Sequence, residues 1–177
     1  DVYKRQYCII PYARGFNRSK PLEELKQELI DLSLQGYREV VLVGIDLSSY
    51  GKDLGCHLVD AVQLACDIPG IERVRLGSLE PLMLTDRNLS ILAALPKFCP
   101  QFHLSLQSGC DATLKRMNRH YDTAFYRELV ARIRRQFDNP SITTDIMVGF
   151  PGETEEEFEQ SLAFAREIGF AKVHVFA

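Results

Sequence analysis

Residues 141–157 read Ser141-Ile142-Thr143-Thr144-Asp145-Ile146-Met147-Val148-Gly149-Phe150-Pro151-Gly152-Glu153-Thr154-Glu155-Glu156-Glu157. The β-branched and apolar content of Ser141–Val148 predicts a strand. Gly149-Phe150-Pro151-Gly152 is its exit turn. Thr154, with Glu157 three residues on, has the form of a capping box. It opens a helix running to about Ile168, and Lys172–Phe176 predicts a further strand. Strand, turn, helix and strand in this order is the unit that builds parallel sheets.

The same alternation extends upstream. Phe102–Leu106 predicts a strand that exits into Gln107-Ser108-Gly109. A short helix over Ala112–Met117, with Asp111 as its cap, and a longer one over Thr123–Phe137 follow it. Arg73–Leu76 is a strand with the exit loop Gly77-Ser78-Leu79-Glu80-Pro81, followed by a helix over Thr85–Leu95. Glu39–Val43 is a short continuous apolar run ending at Gly44, of the kind covered on both faces in a parallel sheet. Leu47–Gly55 is a polar loop, and Leu58–Ile68 a helix. Ser19-Lys20-Pro21 with Glu23 and Glu24 starts an earlier helix that Gly36 stops; the acidic first turn suits the helix dipole. With a strand ending near Tyr7, this makes six βα units. The expected fold is α/β, a partial parallel (β/α)6 barrel. An open doubly wound sheet is the alternative that alternation alone does not separate from it. In both, functional residues sit past the C-terminal ends of the strands.

Composition sets broad bounds. The chain has 177 residues, 46% hydrophobic and 25% charged, which suits one globular domain with a sizeable core. No apolar run approaches the roughly 20 residues of a membrane span. The beginning of the chain has no apolar signal region. The five cysteines (8, 56, 66, 99 and 110) have no paired spacing and read as reduced thiols of a cytoplasmic protein. A net charge of −3 argues against a dedicated nucleic-acid binder. Lys115, Arg116, Arg119, Arg127, Arg132, Arg134 and Arg135 form a local basic stretch, read as a solvated helix face with a phosphate-facing surface as the alternative.

The predicted strand ends gather polar and aromatic residues. They are Tyr7 and Cys8 with Arg14 further on, then Gly44-Ile45-Asp46, Ser78 and Glu80, Ser105 and Gln107, Asp145 with Val148 and Gly149, and Val175-Phe176. Arg119 lies twelve residues after Gln107. Singly, each has an ordinary structural use. Together at one end of a parallel sheet they predict a site.

Phe102-His103-Leu104-Ser105-Leu106-Gln107-Ser108-Gly109-Cys110-Asp111 through Arg119, and Thr144-Asp145-Ile146-Met147-Val148-Gly149-Phe150-Pro151-Gly152-Glu153-Thr154, resemble the radical S-adenosylmethionine (SAM) methylthiotransferases. The resemblance covers nearly all of Tyr7–Phe176. Gly44–Gly55 and Leu76-Gly77-Ser78-Leu79-Glu80-Pro81 look most like the branch that methylthiolates tRNA N6-threonylcarbamoyladenosine-37 at C2. The dimethylallyladenosine and ribosomal-protein branches fit these loops less well. The resemblance implies two cofactors, SAM and a [4Fe–4S] cluster. It also implies a role for each site residue. The Gly44-Ile45-Asp46 turn offers backbone carbonyls to the SAM ammonium, and Arg119 pairs with its carboxylate. Ser78, Glu80 or Gln107 bonds the ribose or the methionyl group, in an order left open. Ser105 is a further cofactor-binding candidate, and Asp145 orients the network. Tyr7, Val148 and Phe176 wall the adenine. By the same resemblance, an electron from the cluster cleaves SAM to a 5′-deoxyadenosyl radical, which takes hydrogen from C2 of the substrate adenine. The implied partners are the tRNA anticodon loop and an electron donor such as a flavodoxin or ferredoxin, and the expected state is a monomer.

Tyr7-Cys8-Ile9-Ile10-Pro11-Tyr12-Ala13-Arg14-Gly15 resembles the segment closing the family's Cys-x3-Cys-x-aromatic-Cys motif, with Cys8 as the last cluster thiolate. The first two thiolates would fall at positions 1 and 5, where Asp1 and Arg5 stand. Neither replaces a thiolate on iron. Residues 1–6 therefore read as sequence foreign to the family, and 7–177 as the core domain. The family's N-terminal cluster domain and C-terminal tRNA-binding barrel are expected to be absent. Two functional classes stay open: an enzyme core, or a non-catalytic SAM-binding remnant. A different radical-SAM reaction on the same scaffold is a third reading.

Overall fold

The computed structural model describes residues 12, 13 and 15–177. The expectations for Tyr7, Cys8 and Arg14, and for the strand ending near Tyr7, fall outside these residues. Strand β1 (Glu39–Leu42) pairs in parallel with β2 (Arg73–Leu76). β3 (Ser78–Leu79) pairs with β4 (Gln101–Leu104), β4 with β5 (Ser141–Met147), and β5 with β6 (Lys172–Phe176), all parallel. β2 and β3 correspond to one predicted strand and its exit loop, interrupted at Gly77, whose N–H donates to the Leu42 carbonyl at 2.9 Å. β2 also binds the chain entering β4: Val74 N–H donates to Lys97 O (2.8 Å), and Cys99 N–H to Val74 O (2.9 Å).

Spatial order therefore follows chain order. A doubly wound sheet reverses strand order at a switch point. Here no reversal occurs, so the crossovers wind one way and the helices lie on one face. The arrangement is the open parallel barrel.

Those helices are α1 (Leu22–Leu34), α2 (Leu58–Asp67), α3 (Asp86–Ala93), α4 (Asp111–Arg116), α5 (Thr123–Gln136) and α6 (Glu155–Ile168). The Thr154–Glu157 capping box forms as the sequence predicts. Asp111 does not cap α4: Cys110 takes the cap position, and Asp111 instead accepts from Thr123 N–H at 2.8 Å, tying down the start of α5. The Leu47–Gly55 loop contains a 3₁₀ turn at Leu47–Ser49, with Leu47 and Ser49 buried.

Core residues come from alternate strand positions. Val40, Val74, Leu79, Phe102, Leu104 and Ile142 are buried. Phe102 meets Phe137 and Phe98 with ring centroids 5.1 and 5.8 Å away. On the other face of β1 and its exit, Val41 and Val43 are 49% and 73% exposed, so among the described residues nothing covers that face as the sequence suggests.

The basic stretch is largely consumed within the fold. Arg116 pairs with Glu157, Arg127 with Glu167, Arg132 with Asp86, and Arg135 with Glu128. Arg134 donates to the carbonyls of Ile168 and Gly169 at the C-terminal end of α6, where the dipole favours a cation. These arginines bind carboxylates and carbonyls of the chain itself, so the stretch is a set of docking contacts and helix-surface pairs.

Candidate functional site

Alternation in β4 and β5 sends Phe102, Leu104, Ile142 and Thr144 to the helix side and His103, Ser105, Thr143 and Asp145 to the opposite face. The barrel lumen is thus polar at its centre. Ser78 and Ser105 share a hydrogen bond of 2.9 Å across β3 and β4. His103 Nε2 lies 3.1 Å from Asp145 Oδ2, and its Nδ1 lies 2.9 Å from Thr143 Oγ1.

Gln107 is joined to β5 through its backbone. Its N–H donates to Asp145 O and its carbonyl accepts from Met147 N–H, both at 2.8 Å. Its φ is +72°, in the left-handed region that non-glycine residues avoid. The chain then passes α6 so closely that a Cβ on Gly109 would come within 2.8 Å of Phe164 Cβ and of the Ser161 carbonyl. A glycine is required there by packing.

α4 returns the chain to the mouth. Asn118 (φ +54°) donates to Lys115 O at 3.0 Å, and Arg119 N–H to Leu114 O at 2.9 Å. This is a Schellman ending with Asn in the left-handed position. It turns Arg119 inward, where the guanidinium Nη1 meets Glu80 Oε1 at 3.0 Å with the Arg119 side chain only 5% exposed. Glu80 N–H in turn donates to Ser48 Oγ at 2.8 Å. Tyr121, two residues on, donates to Ser105 O at 2.5 Å.

A cavity of about 1270 Å³ opens beside this pair, ample for a nucleoside-sized ligand. Gly44, Asp46, Glu80 and Arg119 line it, with Val41 and Val43 on its apolar side. Asp46 accepts from Ser49 Oγ (2.7 Å) and Asn17 Nδ2 (3.2 Å), which orders the turn. A Cβ on Gly44 would meet only ordinary contacts with Leu47. The fold does not require glycine there. Ser19 braces the next loop: its hydroxyl accepts from Gly51 N–H at 2.9 Å, and its contacts hold the Asp53 carboxyl below the ordinary carboxylate range.

The sequence-predicted residues thus form two adjoining groups. Gly44, Asp46, Glu80 and Arg119 line the cavity; Ser78, Ser105 and Asp145 line the lumen, with Gln107 pinned beside Asp145. Val148 and Phe176 stand apart at the β5–β6 rim, where Val148 N–H donates to Phe176 O at 2.8 Å. Val148 packs against the core, and Phe176 is 53% exposed. Sequence reasoning missed His103, Thr143, Ser48 and Tyr121. The two strand residues carry a readable signal, since His103-Leu104-Ser105 and Thr143-Thr144-Asp145 place polar groups at period two. Ser48 and Tyr121 act from loops and carry none.

A family model described as the radical SAM superfamily matches residues 6–165. Among curated relatives, a tRNA-2-methylthio-N(6)-dimethylallyladenosine synthase of Clostridium botulinum is 41% identical over 96% of this chain and 38% of its own. A threonylcarbamoyladenosine tRNA methylthiotransferase of Thermotoga maritima is also 41% identical, over 96% of this chain and 39% of its own. The chain therefore spans under two-fifths of the length of these relatives. The solved structure of coproporphyrinogen III oxidase from Escherichia coli, titled a radical SAM enzyme, superposes with a TM-score of 0.64 over 88% of this chain and 36% of that one, at 19% identity. Streptococcus suis SuiB gives 0.59 over 90% of this chain and 34% of that one, at 15% identity. The two structures bear on the fold. No helix among the described residues is long and apolar enough to cross a membrane.

Proposed function

The chain belongs to the radical SAM superfamily, and from that premise we propose that it is the SAM-binding core of a tRNA methylthiotransferase. The complete protein converts N6-threonylcarbamoyladenosine-37 of the anticodon loop to its 2-methylthio derivative. The observation that carries the reading is Arg119, its side chain buried beside Glu80 at the wall of a cavity that the Gly44–Asp46 turn also lines.

That arrangement suits an amino acid joined to a nucleoside. A guanidinium binds a carboxylate through a two-pronged fork. The 44–46 turn offers carbonyls to an ammonium. Ser78, Ser105, Glu80, Gln107 and Asp145 supply hydrogen-bonding partners for ribose hydroxyls. Val148 and Phe176 at the rim are proposed to border the adenine.

The cluster fits less well. Asp and Arg occupy positions 1 and 5. Among the described residues no group of three or more His, Cys, Asp or Glu side chains is placed to hold a metal ion. The residues present do not make a three-thiolate set. With this sequence, the chain binds SAM without cleaving it.

The choice of substrate rests on the 44–55 and 76–81 loops. The two relatives at 41% identity carry the names of two different modified adenosines, so identity favours neither. The dimethylallyladenosine reading stands as the second.

Two measurements test the proposal. Calorimetry with SAM should show binding to this chain, and no heat at millimolar SAM would refute the site. A chimera placing residues 39–177 into a full-length threonylcarbamoyladenosine relative should restore the 2-methylthio nucleoside in tRNA digests read by mass spectrometry. Restoration only in a dimethylallyladenosine host would transfer the assignment to that branch.

A further inference from the structure

We infer that His103 is a positioning residue: it clamps one oxygen of the Asp145 carboxylate so that the other is presented to a hydroxyl or amino donor of the ligand bound in the barrel. The ligand's identity rests on the proposed SAM reading; the clamp itself rests on the contacts of the His103 ring.

Four side chains zigzag between β4 and β5. Gln101 Nε2 lies 3.5 Å from Thr143 Oγ1, Thr143 Oγ1 lies 2.9 Å from His103 Nδ1, and His103 Nε2 lies 3.1 Å from Asp145 Oδ2. An amide nitrogen only donates, so the Thr143 hydroxyl accepts from Gln101; its oxygen has room for a second bond, and the clamp requires instead that its own proton point at His103. Nδ1 of a neutral imidazole then accepts, which leaves the ring proton on Nε2, aimed at Asp145. In that tautomer every bond runs toward the C-terminal ends of β4 and β5 and ends on a carboxylate.

Both imidazole nitrogens are used, so His103 has none left for a ligand. Asp145 does have capacity. Among the described residues its Oδ1 makes no hydrogen bond, and its side chain is 23% exposed toward the lumen. His174, the register partner of Asp145, stacks edge-on against His103 at 5.8 Å and limits rotation of the ring. A contact that only glued the strands together would not need to end on an open carboxylate oxygen, because the apolar face of the same strands already holds them.

Side-chain isosteres separate the two ring nitrogens. His103→Gln places an amide nitrogen near the position of Nε2 and keeps the clamp. His103→Asn places one near Nδ1 and loses it. With SAM as the calorimetric probe, His103→Gln should bind within about threefold of wild type and His103→Asn at least tenfold more weakly, with similar unfolding midpoints for the two. Equal losses of affinity for both, or losses that track stability, would overturn the inference. Nitrogen-detected imidazole spectra of the unliganded chain give a second readout. The His103 signals should show the Nε2–H tautomer, and Thr143→Val should release it. An Nδ1–H tautomer would also overturn the inference. Should the wild-type chain bind no SAM, the proposed function falls while the imidazole spectra still decide the clamp.

Discussion

The two faces of β4 and β5 are built from neighbouring residues and do opposite things. Phe102, Leu104 and Ile142 point one way and are buried against α5 and its surroundings. His103, Ser105, Thr143 and Asp145 point the other way into a polar lumen and bond mainly to one another. The first set is under pressure from water, which rewards any large apolar side chain at that position. The second set is under geometric pressure, since a donor moved by about one ångström loses its acceptor. The helix face holds the barrel together, and the lumen face gives it something to do.

The largest effect should come from breaking the helix face. Phe102 is fully buried between Phe98 and Phe137. Phe102→Ala should cost about 3–5 kcal/mol of stability by denaturant titration, as buried Phe-to-Ala changes do. A loss under about 1 kcal/mol would mean that the face is not a closely packed layer.

That asymmetry also explains what the sequence made legible. The order of elements follows from apolar runs separated by turns, and nearly every predicted element appears within one or two residues. The mouth was legible because chain direction in a parallel sheet fixes which end carries the loops. Several details were not. The break at Gly77 depends on β2 and β3 having different partners, which no local pattern encodes. The burial of Arg119 depends on a turn at Asn118 that has no glycine to announce it. The basic stretch read as a solvated surface because its carboxylate partners lie 39–46 residues away in the case of Glu80, Glu157, Glu167 and Asp86.

A second contrast sharpens the first at the end of α4. Arg116 turns outward to Glu157 of α6, and Arg119 inward to the cavity. Arg119→Ala should weaken SAM binding by roughly tenfold to more than a hundredfold, the worth of about 1.5–3 kcal/mol for a charge-assisted pair. Lys115→Ala, on the exposed side of the same helix, should change it little. Arg119→Lys should recover part of the loss, since an ammonium lacks the fork. Equal, small losses at Lys115 and Arg119 would remove Arg119 from the site.

The outward pair should announce itself in acid instead. The Arg116 guanidinium, with further help from Thr154 N–H, holds the Glu157 carboxyl down to about 2 from an ordinary 4.5. A folded value below the unfolded one means that the pair's contribution is complete above about pH 4.5 and is lost as pH falls toward 2. Unfolding midpoints of wild type and Glu157→Gln, measured from about pH 6 to about pH 2, should therefore converge on acidification. A constant gap would show that the pair's contribution is packing and not charge.

The smallest effect tests whether the lumen face is strained for its function. Gln107 sits at φ +72° with its N–H and carbonyl both bonded to β5, so its backbone cannot relax without breaking that bridge. A left-handed conformation costs a residue with a Cβ roughly 1–2 kcal/mol, and glycine avoids that cost. Glycine also loses more entropy on folding, by about 0.4–1 kcal/mol relative to alanine. The two terms partly offset, so Gln107→Gly should match or exceed the stability of Gln107→Ala by up to about 1.6 kcal/mol. Both variants lack the amide and should lose SAM affinity to the same degree. A glycine variant less stable than the alanine variant would show that the positive φ carries no strain here. If glycine restores stability while neither variant binds SAM as tightly as wild type, position 107 is held in a costly conformation for the sake of its side chain.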